Sequence, residues 1–422
     1  MPRVVLGVSG GIAAYKVCEV LRGLTETGHD VWVVPTRSAL RFVGRPTWEA
    51  LSGHPVTDEV FANVHEVAHV ALGRSADLVV VAPATADLLA RMVHGRADDL
   101  LTATLLTARC PVVVAPAMHT EMWEHPATRD NVSTLRARGT IVIDPATGRL
   151  TGADSGPGRL PEPAQIVAIA LAALGRSRLV GPDAGPDGTG TDLRGRRVLI
   201  TAGGTREPLD PVRYVGNRSS GRMGYALVTA ALARGAHVSV VAANVTLPDP
   251  AGVTLTAVET TAELHDQVLA ESDGVDVVVM AAAPSDFRPE RIAEAKIKKS
   301  PDGSVQHLRL VQNPDILAEL VQRRAGSRHP VVVGFAAETG DADGDVLTHA
   351  RAKLARKGCD LLVVNDVGGG RVFGRDDTEA VVLDRDGAEH PVSHASKSEL
   401  AGIVWDLVGK RLDSQRPGPS LL

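Results

Sequence analysis

The sequence predicts two doubly wound α/β domains, each built on a mostly parallel β-sheet. The chain has 422 residues, which is too long for one ordinary hydrophobic core. Short β-branched runs alternate with helical stretches in both halves, as in parallel sheets with helical crossovers. Aromatic residues make up only 3% of the chain. This scarcity, beside abundant Ala, Val, Gly and Leu, suits buried parallel strands covered by small-residue helices.

The first half contains five strand-like runs that end in turn residues: 4–8, 31–34, 78–81, 112–115 and 141–143. A helix is predicted over 164–174. Residues 176–192 are rich in Gly, Pro, Asp and Ser and cannot bury enough apolar surface to fold, so we predict a linker there. Residues 1–175 are therefore predicted to form the first domain, with ligands at the carboxyl ends of its strands.

The second half repeats this architecture without a recognisable repeat in sequence. Its strand-like runs are 197–201, 238–241, 275–280, 331–335 and 361–364. They predict a second domain over residues 193–412. Residues 413–422 are predicted to be a frayed tail.

Charge and composition narrow the class of function. The formal net charge is −5 and the basic residues are scattered, so the sequence shows no basic patch of the kind that binds nucleic acid. The three cysteines form no CxxC or Cys/His pair, which argues against disulfides and structural zinc and favours a reducing compartment. No apolar run reaches the ~18 residues of a membrane span, and no signal peptide is evident. We expect a cytoplasmic protein that binds neither nucleic acid nor membrane.

The first strand ends at a glycine turn, Ser9-Gly10-Gly11, that opens an alanine-rich helix. Backbone amides at such a helix start favour a phosphate, although a purely structural turn is an equal alternative for this motif alone. The turn is not GxGxxG. The second strand ends at Pro35-Thr36 without the acidic residue that grips an adenosine ribose. The motif therefore favours a mononucleotide over NAD.

Four segments of the first half resemble the flavin-dependent cysteine decarboxylases. They are SGGIAAYK at 9–16, HVALGRSADLVVVAPATADLLARM at 69–92, PAMHTEMW at 116–123 and GADSGPGRLPEP at 152–163. The resemblance implies a flavodoxin-like or Rossmann-like domain that binds FMN and forms trimers with the flavin at subunit contacts. It also implies decarboxylation of phosphopantothenoylcysteine to 4'-phosphopantetheine.

The resemblance assigns roles to individual residues. His69 matches the catalytic histidine, and a group titrating near neutrality suits proton transfer. A lone helical histidine is more often structural, and His65, one turn earlier, is the internal competitor. Helix capping is the alternative for two of the flavin-site residues, Thr36 and Ser38. The full set implied for FMN is Ser9, Gly10, Gly11, Thr36, Ser38 and Thr85.

Two positions depart from the decarboxylase pattern. The resemblance implies that Met118 and His119 contact the substrate, but most relatives have asparagine where this chain has His119. A histidine can still donate a hydrogen bond there. Relatives often carry a cysteine on a mobile flap where this chain has Gly152. Another group must then donate the last proton, or the last step differs.

The second half resembles the phosphopantothenate-cysteine ligases. The matching segments are TAGGTREPLDPVRYVGNRSSGRMGYAL at 201–227, AAPSDFRP at 282–289, KIKK at 296–299, NPDI at 313–316, GFAAET at 334–339 and AKLARKGCDLLVVND at 352–366. Together the halves resemble the bacterial bifunctional decarboxylase/ligase of coenzyme A synthesis. Its substrates are 4'-phosphopantothenate, L-cysteine and CTP with Mg²⁺, joined through an acyl cytidylate. The resemblance implies homo-oligomers: decarboxylase trimers, ligase dimers and assemblies up to a dodecamer.

Within the ligase segments, Lys296 is implied to stabilise transfer at the phosphate, where a flexible ammonium is a suitable point charge. Without that context a solvated lysine face is the usual interpretation. Asn217 is implied to hold the acyl cytidylate, with a local turn role as its alternative. Asp286 is placed for CTP or its metal. The residues implied for CTP are Ala281, Ala282, Asp286, Lys296, Asn313, Pro314, Asp315, Ile316, Phe335, Lys353 and Lys357.

Two other function classes compete with this interpretation. Some eukaryotic relatives of the flavin decarboxylases are phosphatase regulators, but this chain has a ligase-like half and no acidic tail. An NAD-dependent oxidoreductase would need the ribose-binding acid that is missing here. A yellow protein that releases FMN on denaturation would favour the decarboxylase.

Overall fold

A computed structural model describes residues 1–59, 68–149, 155–180, 193–298, 307–338, 346–366 and 377–414. The chain divides into two compact units. The first comprises Met1–Gly195 with two short segments, Thr229–His237 and Pro250–Val253. The second comprises the rest of the chain from Arg196 onward.

The first unit contains a five-stranded sheet in the order β2-β1-β3-β4-β5, with every neighbouring pair parallel. This confirms the predicted doubly wound parallel sheet. The strands are β1 (Arg3–Val8), β2 (Asp30–Pro35), β3 (Leu78–Ala84), β4 (Val112–Pro116) and β5 (Ile141–Val142). The order reverses between β1 and β3, and such a reversal opens a crevice at the carboxyl ends of the strands.

Eight α-helices and a short hairpin complete the described part of the first unit. The helices are α1 (Val17–Glu26), α2 (Arg45–Ser52), α3 (Ala68–Ser75), α4 (Ala86–His94), α5 (Leu100–Thr107), α6 (Thr120–Glu124), α7 (Pro126–Ala137) and α8 (Pro163–Val180), with 3₁₀ turns at Ile12–Lys16 and Ala39–Arg41. The antiparallel hairpin consists of β6 (Ala146–Arg149) and β7 (Ser155–Arg159). Every residue of β3 is buried, because helices cover both faces of the sheet.

The second unit is built on an eight-stranded sheet in the order β12-β11-β8-β13-β16-β17-β18-β19. Its strands are β8 (Arg197–Gly203), β11 (His237–Ala243), β12 (Val253–Val258), β13 (Val277–Met280), β16 (Val331–Glu338), β17 (Leu361–Asp366), β18 (Asp377–Asp384) and β19 (Glu389–Ser396). Two small hairpins lie outside it, β9 (Arg206–Pro208) with β10 (Tyr214–Gly216), and β14 (Phe287–Pro289) with β15 (Leu310–Gln312). The helices are α9 (Arg222–Ala233), α10 (Thr261–Glu271), α11 (Ile316–Arg323), α12 (Val346–Lys357) and α13 (Lys397–Ser414).

The centre of this sheet is parallel, as predicted, but its last edge is not. Strands β8, β13, β16 and β17 pair in parallel, whereas β18 and β19 add an antiparallel edge that the sequence analysis missed. The overlooked signal is Asp386-Gly387, a hairpin-turn dipeptide whose Gly387 has a φ of +91°. The four strands of the two small hairpins were missed as well, because segments of three residues show no periodicity.

The last helix of each predicted domain continues beyond the boundary that the sequence predicts. Helix α8 continues past Leu174 to Val180, so the first residues of the predicted linker are helical, and 181–192 lie outside the described residues. Helix α13 reaches Ser414, and the rest of the predicted tail lies outside the described residues. Among the helices that are described, none is both long and apolar enough to cross a membrane.

Candidate functional sites

Polar side chains follow three neighbouring strands of the first sheet. Ser9 comes after β1, Thr36 after β2 and Thr85 after β3. The buried Ser9 hydroxyl donates to the Pro83 carbonyl oxygen at 2.7 Å and accepts from the Thr85 backbone amide at 3.0 Å. Ser9 therefore joins the ends of β1 and β3 at the crevice of the sheet.

The glycine turn after β1 approaches the loop after β2 very closely. A Cβ placed on Gly10 would lie 2.3 Å from the Ser38 Cβ and 3.0 Å from the Ser38 carbonyl carbon. Gly11 precedes the 3₁₀ turn and adopts an extended φ of −143°. The site thus requires glycine at position 10, because any larger residue would displace the Ser38 loop.

The two threonines act as caps in this structure. The Thr36 hydroxyl accepts from the Ala39 amide at 3.2 Å, and the Thr85 hydroxyl accepts from the Leu88 amide at 3.3 Å. Capping was the alternative interpretation of Thr36, and the observed bond is of that kind. Ser38 is exposed and makes no side-chain capping bond, so its hydroxyl can reach a ligand.

A cavity of about 1120 Å³ at the carboxyl edge of the sheet is lined by Ser9, Gly10, Thr36, Ser38 and Thr85, but not by Gly11. Three arginines in its wall are paired with acidic side chains: Arg45 with Asp58, Arg91 with Asp98 and Asp99, and Arg96 with Asp98. Arg37 also lines it, and no acidic partner for Arg37 occurs in the described part of the chain. The sequence analysis missed Arg37, although it lies between Thr36 and Ser38. An exposed guanidinium beside the Ser38 hydroxyl suits a phosphate.

Gly10→Ala should greatly reduce the flavin content of the purified protein. The added Cβ must push the Ser38 backbone outward and thereby deform the wall that holds Thr36, Arg37 and Ser38. The measurement is the ratio of flavin absorbance to protein after gel filtration. Gly175→Ala is the matched control, because a Cβ at Gly175 would meet nothing within 4 Å. Full flavin occupancy in Gly10→Ala would remove this loop from the flavin site.

His69 lies in α3 and does not line this cavity. Its backbone carbonyl accepts from the Thr107 hydroxyl at 2.8 Å, which ties α3 to α5. Its Nδ1 atom is buried and has no hydrogen-bond partner among the described residues. His65 and Gly152 lie outside the described residues. Among the residues that the structure describes, His69 and the predicted flavin residues therefore do not line the same cavity.

The predicted substrate residues follow β4. The Met118 amide donates to the Gly158 carbonyl oxygen at 3.0 Å, so the β6–β7 hairpin lies over this segment. A Cβ on Gly158 would lie 2.2 Å from the Met118 carbonyl oxygen, which requires glycine there. His119 is exposed and precedes α6 without capping it. Neither Met118 nor His119 lines the 1120 Å³ cavity.

The second unit contains a cavity of about 930 Å³ that brings most of the predicted ligase residues together. It lies at the carboxyl ends of β13 and β16 and is walled by the starts of α9 and α11. The predicted residues that line it are Asn217, Ala281, Ala282, Asp286, Asn313, Pro314, Asp315, Ile316, Phe335, Lys353 and Lys357. Lys296 is exposed and does not line it.

Asn217 connects two loops of this cavity. Its Nδ2 donates to the Pro284 carbonyl oxygen at 2.7 Å, and a Cβ on Gly204 would lie 2.6 Å from the Asn217 carbonyl oxygen. Asn217 is otherwise exposed. The bond is of the local backbone kind that the alternative interpretation expects, and it leaves Oδ1 available to a ligand.

Hydrogen bonds also hold the loops around Asp286. The Asn313 amide donates to the Asp286 carbonyl oxygen at 2.9 Å, and the Asn313 Nδ2 donates to the Ser285 carbonyl oxygen at 2.9 Å. Arg288 donates to the Asn313 Oδ1 at 2.9 Å. Asn313 therefore stabilises the loop that contains Ser285 and Asp286. The Asp286 carboxylate stays exposed at the cavity wall.

Lys357 forms an ion pair with Asp315, whose carboxylate also caps α11 by accepting from the Ala318 amide. Burial raises the pKa of Asp315, but the hydrogen bonds from Lys357 and Ala318 outweigh it and lower that pKa below its usual range. The Asp315 carboxylate is therefore ionised at neutral pH. Lys357 lines the cavity as one partner of an ion pair, whereas the resemblance implied a lysine that binds CTP.

The cavity has further polar residues that the sequence analysis did not single out: Arg218, Ser219, Ser220, Arg222, Arg356, Asn365 and Lys397. The first four precede or begin α9, so the amino terminus of that helix faces the cavity and favours an anion. A Cβ on Gly224 would lie 2.6 Å from the Ala202 Cβ, so glycine lets α9 approach β8 closely. The available signal was the run NRSSG at 217–221, inside the glycine-rich segment 201–227.

Comparison with known proteins covers both halves of the chain. Residues 1–175 match the family described as flavoprotein, and residues 193–412 match the DNA/pantothenate metabolism flavoprotein C-terminal domain. The chain is 57% identical over 417 residues to the coenzyme A biosynthesis bifunctional protein CoaBC of Mycolicibacterium smegmatis, covering 98% of each. The protein of the same description from Vibrio cholerae is 41% identical, covering 97% of this chain and 98% of the relative.

Among solved structures, the chain is similar to the C-terminal domain of a coenzyme A biosynthesis bifunctional protein CoaBC. The identity is 31%, the match covers 53% of this chain and all of that one, and the TM-score is 0.44.

Proposed function

Because the chain belongs to the family of bifunctional coenzyme A biosynthesis proteins, we propose that its two units catalyse consecutive steps from 4'-phosphopantothenate. The second unit ligates L-cysteine with CTP, through an acyl cytidylate. The first unit decarboxylates the resulting phosphopantothenoylcysteine to 4'-phosphopantetheine with FMN. The observation that carries this proposal is the pair of separate polar cavities, each at the carboxyl edge of its own sheet.

The cavity of the first unit fits the phosphate end of FMN. Glycine at position 10 lets the Ser38 loop lie close to the end of β1, and Ser38, Arg37 and Thr36 supply hydroxyl and guanidinium donors. Bound FMN supplies reversible two-electron oxidation of the substrate. His69 is proposed to take the proton that leaves the substrate in that oxidation, and His119 to donate a hydrogen bond to the substrate carboxylate.

The cavity of the second unit fits a nucleotide triphosphate and its metal. Lys353 and the start of α9 supply positive charge, and Phe335 offers an aromatic ring for the base. Asp286 is proposed to share Mg²⁺ with the phosphates, since this ion is usually held by one or two carboxylates together with substrate phosphates. Asn217 is proposed to hold the acyl cytidylate, and Lys296 to neutralise charge on the reacting phosphate.

A homo-oligomer is part of this proposal. Large apolar side chains are exposed on both small hairpins of the second unit and nearby: Val212, Tyr214, Phe287, Ile292, Leu308 and Leu310. In the first unit, Ile12, Tyr15 and Phe42 are exposed beside the predicted flavin site, and a second copy that covers them could bring His69 to the flavin. A cytoplasmic location is also proposed, in keeping with three free thiols.

The test is a mass-resolved assay of the purified protein with phosphopantothenate, cysteine, CTP and Mg²⁺. We expect pyrophosphate, CMP, carbon dioxide and 4'-phosphopantetheine, and we expect phosphopantothenoylcysteine to accumulate in protein stripped of FMN. Replacing CTP by ATP tests the nucleotide. Equal turnover with ATP would refute CTP specificity, and ligation without decarboxylation by the flavin-loaded protein would refute the role of the first unit.

A further inference from the structure

Helices α3 and α5 of the first unit pack so closely that a glycine is required between them. A Cβ on Gly73 would lie 2.1 Å from the Thr107 Oγ1 atom and 2.8 Å from the Thr104 carbonyl oxygen. Gly73 is buried and stands four residues after His69, so the two residues share one face of α3. The face of α3 that carries His69 therefore lies directly against the last turn of α5.

Thr107, the last residue of α5, holds the backbone of α3 by a hydrogen bond. Its hydroxyl lies 2.8 Å from the His69 carbonyl oxygen, and 3.0 and 3.3 Å from the carbonyl oxygens of Thr104 and Ala103 in its own helix. A hydroxyl has one proton to donate, and the shortest of these three contacts is the one between the helices. The hydroxyl thus joins α5 to the backbone of His69 itself.

Helix α5 is in turn fixed to the core of the first unit. A Cβ on Gly7 in β1 would lie 2.5 Å from Leu101 Cδ1, so the helix lies tightly on the central strand of the sheet. At its amino terminus, the Asp99 carboxylate accepts from the Thr102 amide at 2.8 Å in a capping box. A capped helix with a buried apolar face is a firm base, so the sheet determines where Thr107 lies.

The bond from Thr107 fixes His69 through its backbone and not through its ring. The Nδ1 atom of the imidazole is buried and has no hydrogen-bond partner among the described residues. A catalytic imidazole is commonly oriented by a hydrogen bond to its second ring nitrogen. In the part of the chain that the structure describes, the position of the ring therefore depends on where α3 holds its backbone.

We propose that Thr107 and Gly73 are positioning residues for His69: the hydroxyl and the missing side chain together set where α3 places the imidazole. This inference rests on the role proposed above for His69 as a proton acceptor. A displacement of about 1 Å in a catalytic group can cost about 10²-fold in rate, and loss of one hydrogen bond between packed helices should cause a smaller displacement. Neither residue lines the 1120 Å³ cavity, so flavin binding should not depend on them.

The test measures kcat and KM for decarboxylation of supplied phosphopantothenoylcysteine by the full chain. Thr107→Val keeps the branched shape of the side chain but removes the hydroxyl, and should lower kcat by roughly 10-fold. KM, flavin content and ligation should stay unchanged. Thr107→Ser retains the hydroxyl and should restore most of the rate. Thr104→Val is the matched control and should keep the normal kcat, because the Thr104 hydroxyl donates within α5, to the Leu100 carbonyl oxygen at 2.7 Å.

Hydrogen exchange separates a displaced α3 from a general loss of structure. The amides of α3 should exchange faster in Thr107→Val than in the unmodified protein, while those of α5 keep their protection. Gly73→Ala should speed the same exchange and lower kcat further, because the added Cβ forces the helices apart. If Gly73→Ala does not fold, the Thr107 variants decide alone.

Three results would overturn the inference alone: a normal kcat in Thr107→Val, no recovery in Thr107→Ser, or unchanged exchange in α3. Normal decarboxylation by His69→Asn would overturn the role of His69 and this inference with it.

Discussion

His69→Asn should abolish decarboxylation of phosphopantothenoylcysteine while the protein stays yellow and still ligates cysteine. The imidazole is proposed as a proton acceptor, and loss of such a group typically costs about 10²- to 10⁴-fold in rate. Flavin should remain because His69 does not line the cavity that holds the predicted flavin residues. The measurement is release of 4'-phosphopantetheine from supplied phosphopantothenoylcysteine, with flavin content and ligation measured on the same preparation.

Two variants control for a change elsewhere in the helical region. His94→Asn alters an exposed histidine at the end of α4 and should leave both activities unchanged. His65→Asn tests the competing histidine and should have much less effect than His69→Asn. If His69→Asn decarboxylates at the normal rate, His69 has no part in the reaction. If His65→Asn alone is inactive, the catalytic role passes to His65.

Lys296→Gln should lower pyrophosphate release by about 10²-fold or more, as loss of one positioned transition-state donor does. The amide keeps much of the length of the side chain but removes the positive charge that the phosphate needs. The reaction is quenched without cysteine, and pyrophosphate and acyl cytidylate are measured by mass. Lys298→Gln is the matched control, because Lys298 is also exposed and lies two residues after Lys296 in the chain. Abundant acyl cytidylate from Lys296→Gln would refute its role.

Asn217→Asp should fail in a different way from Lys296→Gln. It places a carboxylate beside an anionic intermediate, so the acyl cytidylate should still form but should escape or react poorly with cysteine. Aspartate lacks the Nδ2 donor, so the hydrogen bond to the Pro284 carbonyl oxygen is lost, and the pairing of β10 with β9 must hold the loop in place. If both variants stop at the same step, the proposed division of work between these residues is wrong.

The sequence alone determined the fold class and some of the residues that line each cavity, five in the first unit and eleven in the second. Ser9, Thr36 and Thr85 each follow a strongly β-branched run, and the carboxyl ends of parallel strands meet at one edge of a sheet. In the second unit, Asp286 lies in the segment after β13, and Phe335 lies within β16 just beyond the part that pairs with β13. Local periodicity placed these residues at or after predicted strands, and the resemblance to the two enzyme families implied their roles.

Only the tertiary structure decided which charged side chains pair and which residues distant in sequence contact one another. The pairing of Lys357 with Asp315 joins residues 42 apart in the chain, and the bond from Ile297 to Asp210 joins residues 87 apart. Neither separation leaves a periodic signal in sequence, because a side chain that bonds across the fold can come from any loop. The sequence also contained no signal that Arg37 is exposed beside the cavity of the first unit. Nor did it indicate that His69 and Lys296 lie outside the two cavity walls. Strand order, loop closure and burial determine these features, and all three arise from contacts between distant parts of the chain.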